Sequence, residues 1–384
     1  MFSYTSGTTG PPKGVKLTHK MVLGCSYGIN TRLGVAGCSE DDTYISYLPA
    51  AHSFEQALFG MACSSGMRVG FFAGNSRELT ADMCVLKPTI FPSVPRLYNR
   101  IHGKIQDQLN GFTGLKGMLV RRAVASKLAY LKGGQGLTHF IYDKLVFSKM
   151  ASMLGGNVRL MLTGSAPIAG DVLDYLKICF SCDILEGYGM TETCAGSVVT
   201  SPGDPETGIV GGPVQNVKIR LRDIPEMGYL SSATPPKGEI CIWSPSVTKG
   251  YFLNPEKTEE GFHGEWLLSG DVGMVKPNGA IKIIDRAKNI FKLSHGEYIA
   301  PEKLENVYVQ SAFVEQCWVY GHSLRDHVVI FVVVDRANVK NWAEENGVAN
   351  DDAILENDAL KAAVHADMMR LANANKFNSL EKPK

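Results

Sequence analysis

The chain has 384 residues, of which 45% are apolar, 20% charged and 9% aromatic. At roughly 150 residues per domain this suggests two or three domains, and the composition excludes disordered, collagen-like and fibrous architectures. Its 39 basic and 38 acidic residues nearly cancel, which leaves no polyanion footprint and argues against a nucleic-acid partner. The predicted elements then follow in chain order. A Gly/Ser/Thr-rich loop begins at Thr5, with at most Met1 to Tyr4 as a preceding strand. Helices are expected at Pro95 to Leu109, Leu115 to Leu131 and Thr138 to Leu154. Short apolar runs at Val158 to Thr163 and Asp183 to Leu185 read as buried parallel strands. This alternation predicts an α/β fold with layered parallel sheets.

From about Gly208 to Asp285 the character changes. Short strands (Val217 to Arg222, Glu239 to Trp243, Ile281 to Asp285) are separated by Gly and Pro, which predicts a small β-rich, distorted-barrel subdomain. Beyond Asp285 a helix from Pro301 to Gln310 opens on its proline. Strands at Gln316 to Tyr320 and His327 to Val334 follow, then helices near Lys340 and Leu360, making a compact α+β domain. The expected division is 1–285, with 208–285 as its β-rich part, and 286–384.

The ends carry an expectation too. A loop like the opening one ordinarily sits between a buried strand and a helix, and a buried strand needs neighbours on both sides. Those neighbours are expected upstream of Met1, and Lys376 to Lys384 closes no recognisable element. The chain thus reads as an internal piece of a longer protein. No signal-peptide pattern is seen, and the longest uncharged stretches, such as Gln56 to Met67, fall well short of the roughly 20 residues of a membrane span. Nine scattered cysteines fit reduced thiols in a cytosol-facing compartment. Cys179 and Cys182 form one CxxC; with no second pair they read as structural thiols.

The segment Thr5-Ser6-Gly7-Thr8-Thr9-Gly10-Pro11-Pro12-Lys13-Gly14 carries the chemistry. Glycines let backbone amides approach a polyphosphate, hydroxyls add donors and Lys13 adds a mobile positive charge. The spacing is not that of a Walker A loop. Five further motifs follow in order: YLPAAHSFE at Tyr47 to Glu55, GSAPI at Gly164 to Ile168, EGYGMTET at Glu186 to Thr193, SGD at Ser269 to Asp271, and DRAKNIFKLSHGEYIAPEKLE at Asp285 to Glu305. With YTSGTTGPPKGV at Tyr4 to Val15, this ordered set resembles the adenylate-forming superfamily of acyl-CoA synthetases, luciferases and peptide-synthetase adenylation domains. Within it, the chain is most similar to the eukaryotic long-chain fatty acid–CoA ligases, and the similarity runs along essentially the whole chain.

The resemblance implies a two-step reaction. ATP and a fatty acid give acyl-AMP and pyrophosphate, and the acyl group then passes to the thiol of coenzyme A. It places the phosphates on Thr5, Ser6, Gly7, Thr8, Thr9, Gly10 and Lys13. Gly164, Ser165, Ala166 and Pro167 would flank adenine. In the Glu186-to-Glu192 heptad, Glu186, Gly187 and Gly189 would shape a strand-to-loop turn, Tyr188 would offer a flat face to adenine, and Thr191 would meet the α-phosphate. Glu192 would bind Mg²⁺. His52 would lie beside the reacting carboxylate, Asp271 would bind the ribose hydroxyls and Arg286 would reach ribose or phosphate. Lys292, Gly296 and Glu297 belong to a loop implied to approach coenzyme A when the C-terminal lid domain, 286–384, rotates on the adenylation domain. Each motif also has a plainer reading: Tyr188 as a packed aromatic, His52 as a structural histidine, Gly270-Asp271 as a turn.

The family also carries a lid lysine beyond the segment matching Ser379 to Pro383, and a large region ahead of the phosphate loop. Neither falls within these residues, so impaired adenylation is expected of the chain alone, and Lys382 and Lys384 are not assigned the lysine's role. Any membrane anchor would lie outside these residues, with the whole protein expected at the cytoplasmic face of the endoplasmic reticulum or peroxisome. The long-chain assignment rests on stretches such as Phe91 to Tyr98 and Asp223 to Tyr229. Two alternatives stay open: a superfamily ligase for aryl, short-chain or amino acids, and a non-catalytic nucleotide- or acyl-CoA-binding remnant.

Overall fold

A computed structural model describes residues 1–5, 12–75, 78–293, 297–322, 324–325, 327–349 and 352–382. The chain divides into two compact units, Met1–Ser269 with Gly273–Ile283, and Gly270–Val272 with Ile284–Lys384.

The first unit opens with a hairpin, β1 (Phe2–Thr5) antiparallel to β2 (Lys13–Lys16), with Thr5 opposite Lys13. This corrects the expected setting of the opening loop. Its two flanks are strands of a two-stranded ribbon, not a buried strand and a helix, and Phe2 and Tyr4 are exposed. Alternating Phe-Ser-Tyr-Thr suits a half-covered antiparallel ribbon better than a parallel core strand, which would be apolar throughout. Helix α1 (His19–Leu33) starts at Thr18, whose hydroxyl accepts from the Met21 amide, as an N-cap should.

A seven-stranded sheet follows, in the order β4-β3-β5-β6-β7-β8-β9. Its strands are β3 (Thr43–Ser46), β4 (Arg68–Phe71), β5 (Ile90–Ser93), β6 (Leu160–Thr163), β7 (Asp183–Met190), β8 (Ala195–Val199) and β9 (Gly212–Pro213). Pairing is parallel from β4 to β7 and antiparallel from β7 to β9. The expected α/β architecture is therefore present, with a mixed rather than wholly parallel sheet. Alternation along β6 sorts Met161 to one face and Leu160 and Leu162 to the other. On the Leu160 face lie α1 and α2 (Ser53–Ser65), which approach closely because Gly60 has no side chain: a Cβ there would fall 2.4 Å from the Ser26 hydroxyl. The Met161 face is covered by α3 (Leu79–Leu86), α4 (Pro95–Asn110), α5 (Gly114–Lys132), α6 (Phe140–Tyr142), α7 (Ser148–Ser152) and α8 (Gly170–Phe180). A π-type turn over Asp143–Phe147 joins α6 to α7. With both faces covered, core side chains such as Phe91, Met161, Leu173 and Ile178 are fully removed from water. Each contributes about 1.5–3 kcal/mol of burial. Cys179 and Cys182 lie in this core, where burial pushes both thiols up to about 12.

The β-rich region forms a five-stranded sheet of β10 (Lys218–Arg222), β11 (Lys237–Trp243), β12 (Phe262–His263), β13 (Trp266–Val275) and β14 (Ile281–Arg286). The path is β10-β11-β13-β12, with β14 pairing β13. A short helix α9 (Pro255–Glu260) is capped by Asn254.

In the second unit, β15 (Phe291–Lys292) pairs with β16 (Tyr298–Ile299). Helix α10 (Pro301–Tyr308) packs on the hairpin of β17 (Val314–Gly321) and β18 (Val328–Val334), followed by α11 (Arg336–Asn346) and α12 (Asp358–Ala374). The register of β17 against β18 shifts between Val314 and Gln316. No described helix is long and apolar enough to cross a membrane.

Candidate active site

Glu186 to Glu192 depart from the expected turn. Strand β7 continues through Glu186, Gly187, Tyr188, Gly189 and Met190, and the chain turns only at Thr191–Thr193 in a 3₁₀ turn. Gly189 serves close approach within the sheet. A Cβ on Gly189 would lie 1.4 Å from the Ala195 carbonyl oxygen. Across the sheet, Thr163 is in register with Glu186, so Gly164 sits against Gly187, where an added Cβ would come within 3.2 Å of the Gly187 carbonyl oxygen. Ser165, Ala166 and Pro167 then form an exposed loop beside β7, with Ser165 at φ 72°. Tyr188 is half-buried and packs against a cluster of Val198, Ile240, Ile242 and Ile281, so part of its ring surface is already used for packing.

Burial pushes the Glu186 carboxyl up to about 7, against the Gly208 amide and the Lys177 charge, which favour ionisation. Its Oε1 accepts from Gly208 at 2.8 Å. That bond secures the chain between β8 and β9 and gives Glu186 a structural task.

Glu192 is buried, and its Oε1 accepts from the Tyr251 hydroxyl at 2.7 Å. Lys13 Nζ donates to the same hydroxyl at 3.3 Å and stands 4.4 Å above the centre of the Tyr251 ring. The structure thus joins the loop lysine to the carboxylate through a third residue. Tyr251 was not legible as a partner: it is 59 residues from Glu192 and 238 from Lys13, and one tyrosine in Lys249-Gly250-Tyr251-Phe252 carries no local signal. Its preceding glycine is the one hint. Gly250 has φ 131°, and a Cβ there would meet the Thr258 side chain at 2.4 Å.

His52 is exposed and is the N-cap of α2, its Nδ1 accepting from the Phe54 amide at 3.2 Å. That is a structural use of the ring. Thr5 ends β1 opposite Lys13. Ser6, Gly7, Thr8, Thr9 and Gly10 lie outside the described residues, as does Gly296.

The remaining expected residues belong to the second unit. Arg286 Nε stands 3.6 Å from Asp271 Oδ1, with the arginine half exposed and the aspartate mostly covered. The Ala287 amide donates to the Gly270 carbonyl at 2.9 Å. Lys292 is exposed on β15 with its ammonium 5.4 Å from the centre of the Tyr298 ring, and Glu297 accepts the Leu293 amide through its carbonyl.

Comparison with known proteins matches residues 1–252 to the AMP-binding enzyme family. Over 384 aligned residues the chain is 42% identical to long chain acyl-CoA synthetase 5 of Arabidopsis thaliana, covering 98% of this chain and 58% of that protein. It is 43% identical to long-chain-fatty-acid–CoA ligase 5 of Rattus norvegicus, covering 99% of this chain and 56% of the relative. The chain therefore spans little more than half the length of these relatives. Among solved structures, the adenylation domain of a carboxylate reductase from Mycobacterium chelonae superposes over 100% of this chain and 53% of its own, with a TM-score of 0.78 and 25% identity. The fold, the ordered motifs and the matched residues agree: the chain belongs to the AMP-binding enzyme family.

Proposed function

We propose that the protein carrying this chain is a long-chain fatty acid–CoA ligase. It would activate a fatty acid with ATP, release pyrophosphate, and pass the acyl group to coenzyme A with release of AMP. The observation that carries this reading is the Lys13–Tyr251–Glu192 arrangement, set in a chain over 40% identical to long-chain ligases along nearly its whole length.

A phosphate-binding cation and a buried acid, both oriented by one hydroxyl, suit a substrate that brings negative phosphates and a divalent cation together. Mg²⁺ is ordinarily held by one or two carboxylates with substrate phosphates completing its shell, and Glu192, with Oε1 engaged by Tyr251, fits that donor set. The chemistry a bound Mg²⁺ supplies is neutralisation of phosphate charge. Lys13 adds positive charge beside the phosphates, and Thr191 offers a hydroxyl one residue from Glu192. The exposed loop Gly164 to Pro167 and Tyr188, with Glu186, Gly187 and Gly189 of the same strand, form the proposed adenine side. Asp271 with Arg286 is the proposed ribose anchor, and Lys292 and Glu297 belong to the proposed coenzyme A loop. His52 is assigned to the fatty acid's carboxylate side. The cytoplasmic face of the endoplasmic reticulum or peroxisome is the proposed site of action, and two plant relatives named as peroxisomal support the second of these.

Acid-dependent exchange of pyrophosphate into ATP, run with a panel of acids, tests the proposal. Long-chain acids should support exchange best, and the full reaction should yield AMP. Preference for aryl or short-chain acids would move the protein to another branch of the family. ADP and phosphate as products would overturn the reading.

A further inference from the structure

The segment from Thr248 to Phe252 is tied to both halves of the proposed phosphate site. Toward the Thr191–Thr193 turn, the Thr248 amide donates to the Glu192 carbonyl at 2.7 Å. Toward β2, the Thr248 hydroxyl donates to the Lys16 carbonyl at 2.9 Å, and the Phe252 amide to the Gly14 carbonyl at 2.7 Å. The Tyr251 amide is held by the Thr258 hydroxyl at 2.9 Å, the contact that requires glycine at position 250. Both strands of contact are backbone-anchored, so the Tyr251 ring has little freedom, and it is 5% exposed.

A phenol has one proton to give and lone pairs to receive. Here the proton goes to Glu192 and a lone pair meets Lys13. We propose that the Tyr251 hydroxyl is a positioning group of the nucleotide site, setting the Glu192 carboxylate and the Lys13 ammonium as one unit for a Mg²⁺-bound polyphosphate. This deepens the ligase reading and rests on it. Without the hydroxyl, Glu192 loses a charge-assisted hydrogen bond that fixes its rotamer, and Lys13 loses a hydrogen bond while keeping the ring beneath it.

The test measures ATP affinity of the full chain by calorimetry, with Mg²⁺ and with EDTA, in wild type, Tyr251→Phe, Glu192→Gln and the double variant. Phenylalanine keeps the ring and the packing, so the variant should stay folded with a thermal midpoint lowered by no more than one lost buried hydrogen bond, and EDTA-state affinity should fall only slightly, through Lys13. Tyr251→Phe should lose about 10- to 150-fold of the tightening that Mg²⁺ confers, the scale of one charge-assisted hydrogen bond. Because Tyr251 acts on Mg²⁺ through Glu192, the double variant should lose no more of the Mg²⁺-conferred tightening than Glu192→Gln does. Unchanged Mg²⁺ dependence in Tyr251→Phe, or a full additional loss in the double variant, would overturn the inference while leaving the nucleotide site standing. Absence of ATP binding by the wild type, under either condition, would instead overturn the ligase reading and this inference with it.

Discussion

At Gly189 and Glu192 two positions three residues apart are constrained by different physics. Gly189 is a steric requirement: any Cβ collides with the Ala195 carbonyl, and neither β7 nor β8 can retreat without losing ladder hydrogen bonds. Gly189→Ala should therefore destabilise the protein by about 3 kcal/mol, the upper range for overpacking, read as a lower midpoint in urea unfolding. Glu192 is a chemical requirement under the proposed function. Glu192→Ala, in the protein carrying this chain, should slow acyl-adenylate formation by about 10²–10³-fold. Transfer from supplied acyl-adenylate to coenzyme A should be far less affected, since pyrophosphate has already left. Equal losses in the two half-reactions would assign Glu192 to structure alone.

Among elements, α5 depends on a buried ion pair for its position. Lys127 is 1% exposed and pairs with Asp143 at the α6–α7 junction, while its ammonium also donates to Ser181 at the end of α8. Three helices of one face thus meet at a single ammonium, which also lies 4.6 Å from the centre of the Phe147 ring. Burial lowers the lysine's pKa, and Asp143 opposes that shift. The pair is asymmetric: the aspartate side chain is 27% exposed and can turn to water, but the lysine cannot. Asp143→Ala should cost about 3–5 kcal/mol by stranding a buried cation. Lys127→Met, which fills the same space without charge, should cost markedly less. Chemical denaturation of the two variants decides it; equal costs would mean that packing, not charge, sets this junction.

For the whole molecule, three carboxyls shape the dependence of stability on pH. Glu186 in the first unit is pushed up to about 7 by burial, and Asp285 in the second is pushed to about 7 by burial and then by Glu302. Asp285 accepts from the Glu302 amide at 3.0 Å and so caps the start of α10. A carboxyl whose folded value lies above its unfolded one binds more protons folded, so its ionisation opposes folding. Stability should therefore decline as pH rises from about 4 to above 7, and Glu186→Gln and Asp285→Asn should each flatten that decline. Asp42 has the opposite sign. Burial alone would raise it, but hydrogen bonds from Arg159, Thr89 and the Ser39 amide outweigh this and hold it at about 2. Its contribution is present above its unfolded value near 4 and is lost as pH falls toward 2. Thermal melts from pH 2 to 8 should show both limbs. A Glu186→Gln, Asp285→Asn double variant with the wild-type slope above pH 5 would refute this account.

The family and the α/β class were decided by the sequence alone, because six motifs in order and an alternation of buried strand and helix are local patterns, readable without knowing what touches what. Pro301 opening α10 and the apolar run at Val158 to Thr163 were legible for the same reason. Only the tertiary structure decided what the motifs touch. Gly189 must be glycine because of Ala195 on the neighbouring strand, and Gly164 is constrained by the Gly187 carbonyl across the sheet. The strands flanking the opening loop pair with each other, and Tyr251 and Phe252 return from far along the chain to pair beside β2. A sequence records which side chains are available; a hydrogen bond spanning 238 positions depends on chain path, and chain path is set by the burial of a whole sheet rather than by any residue near Lys13.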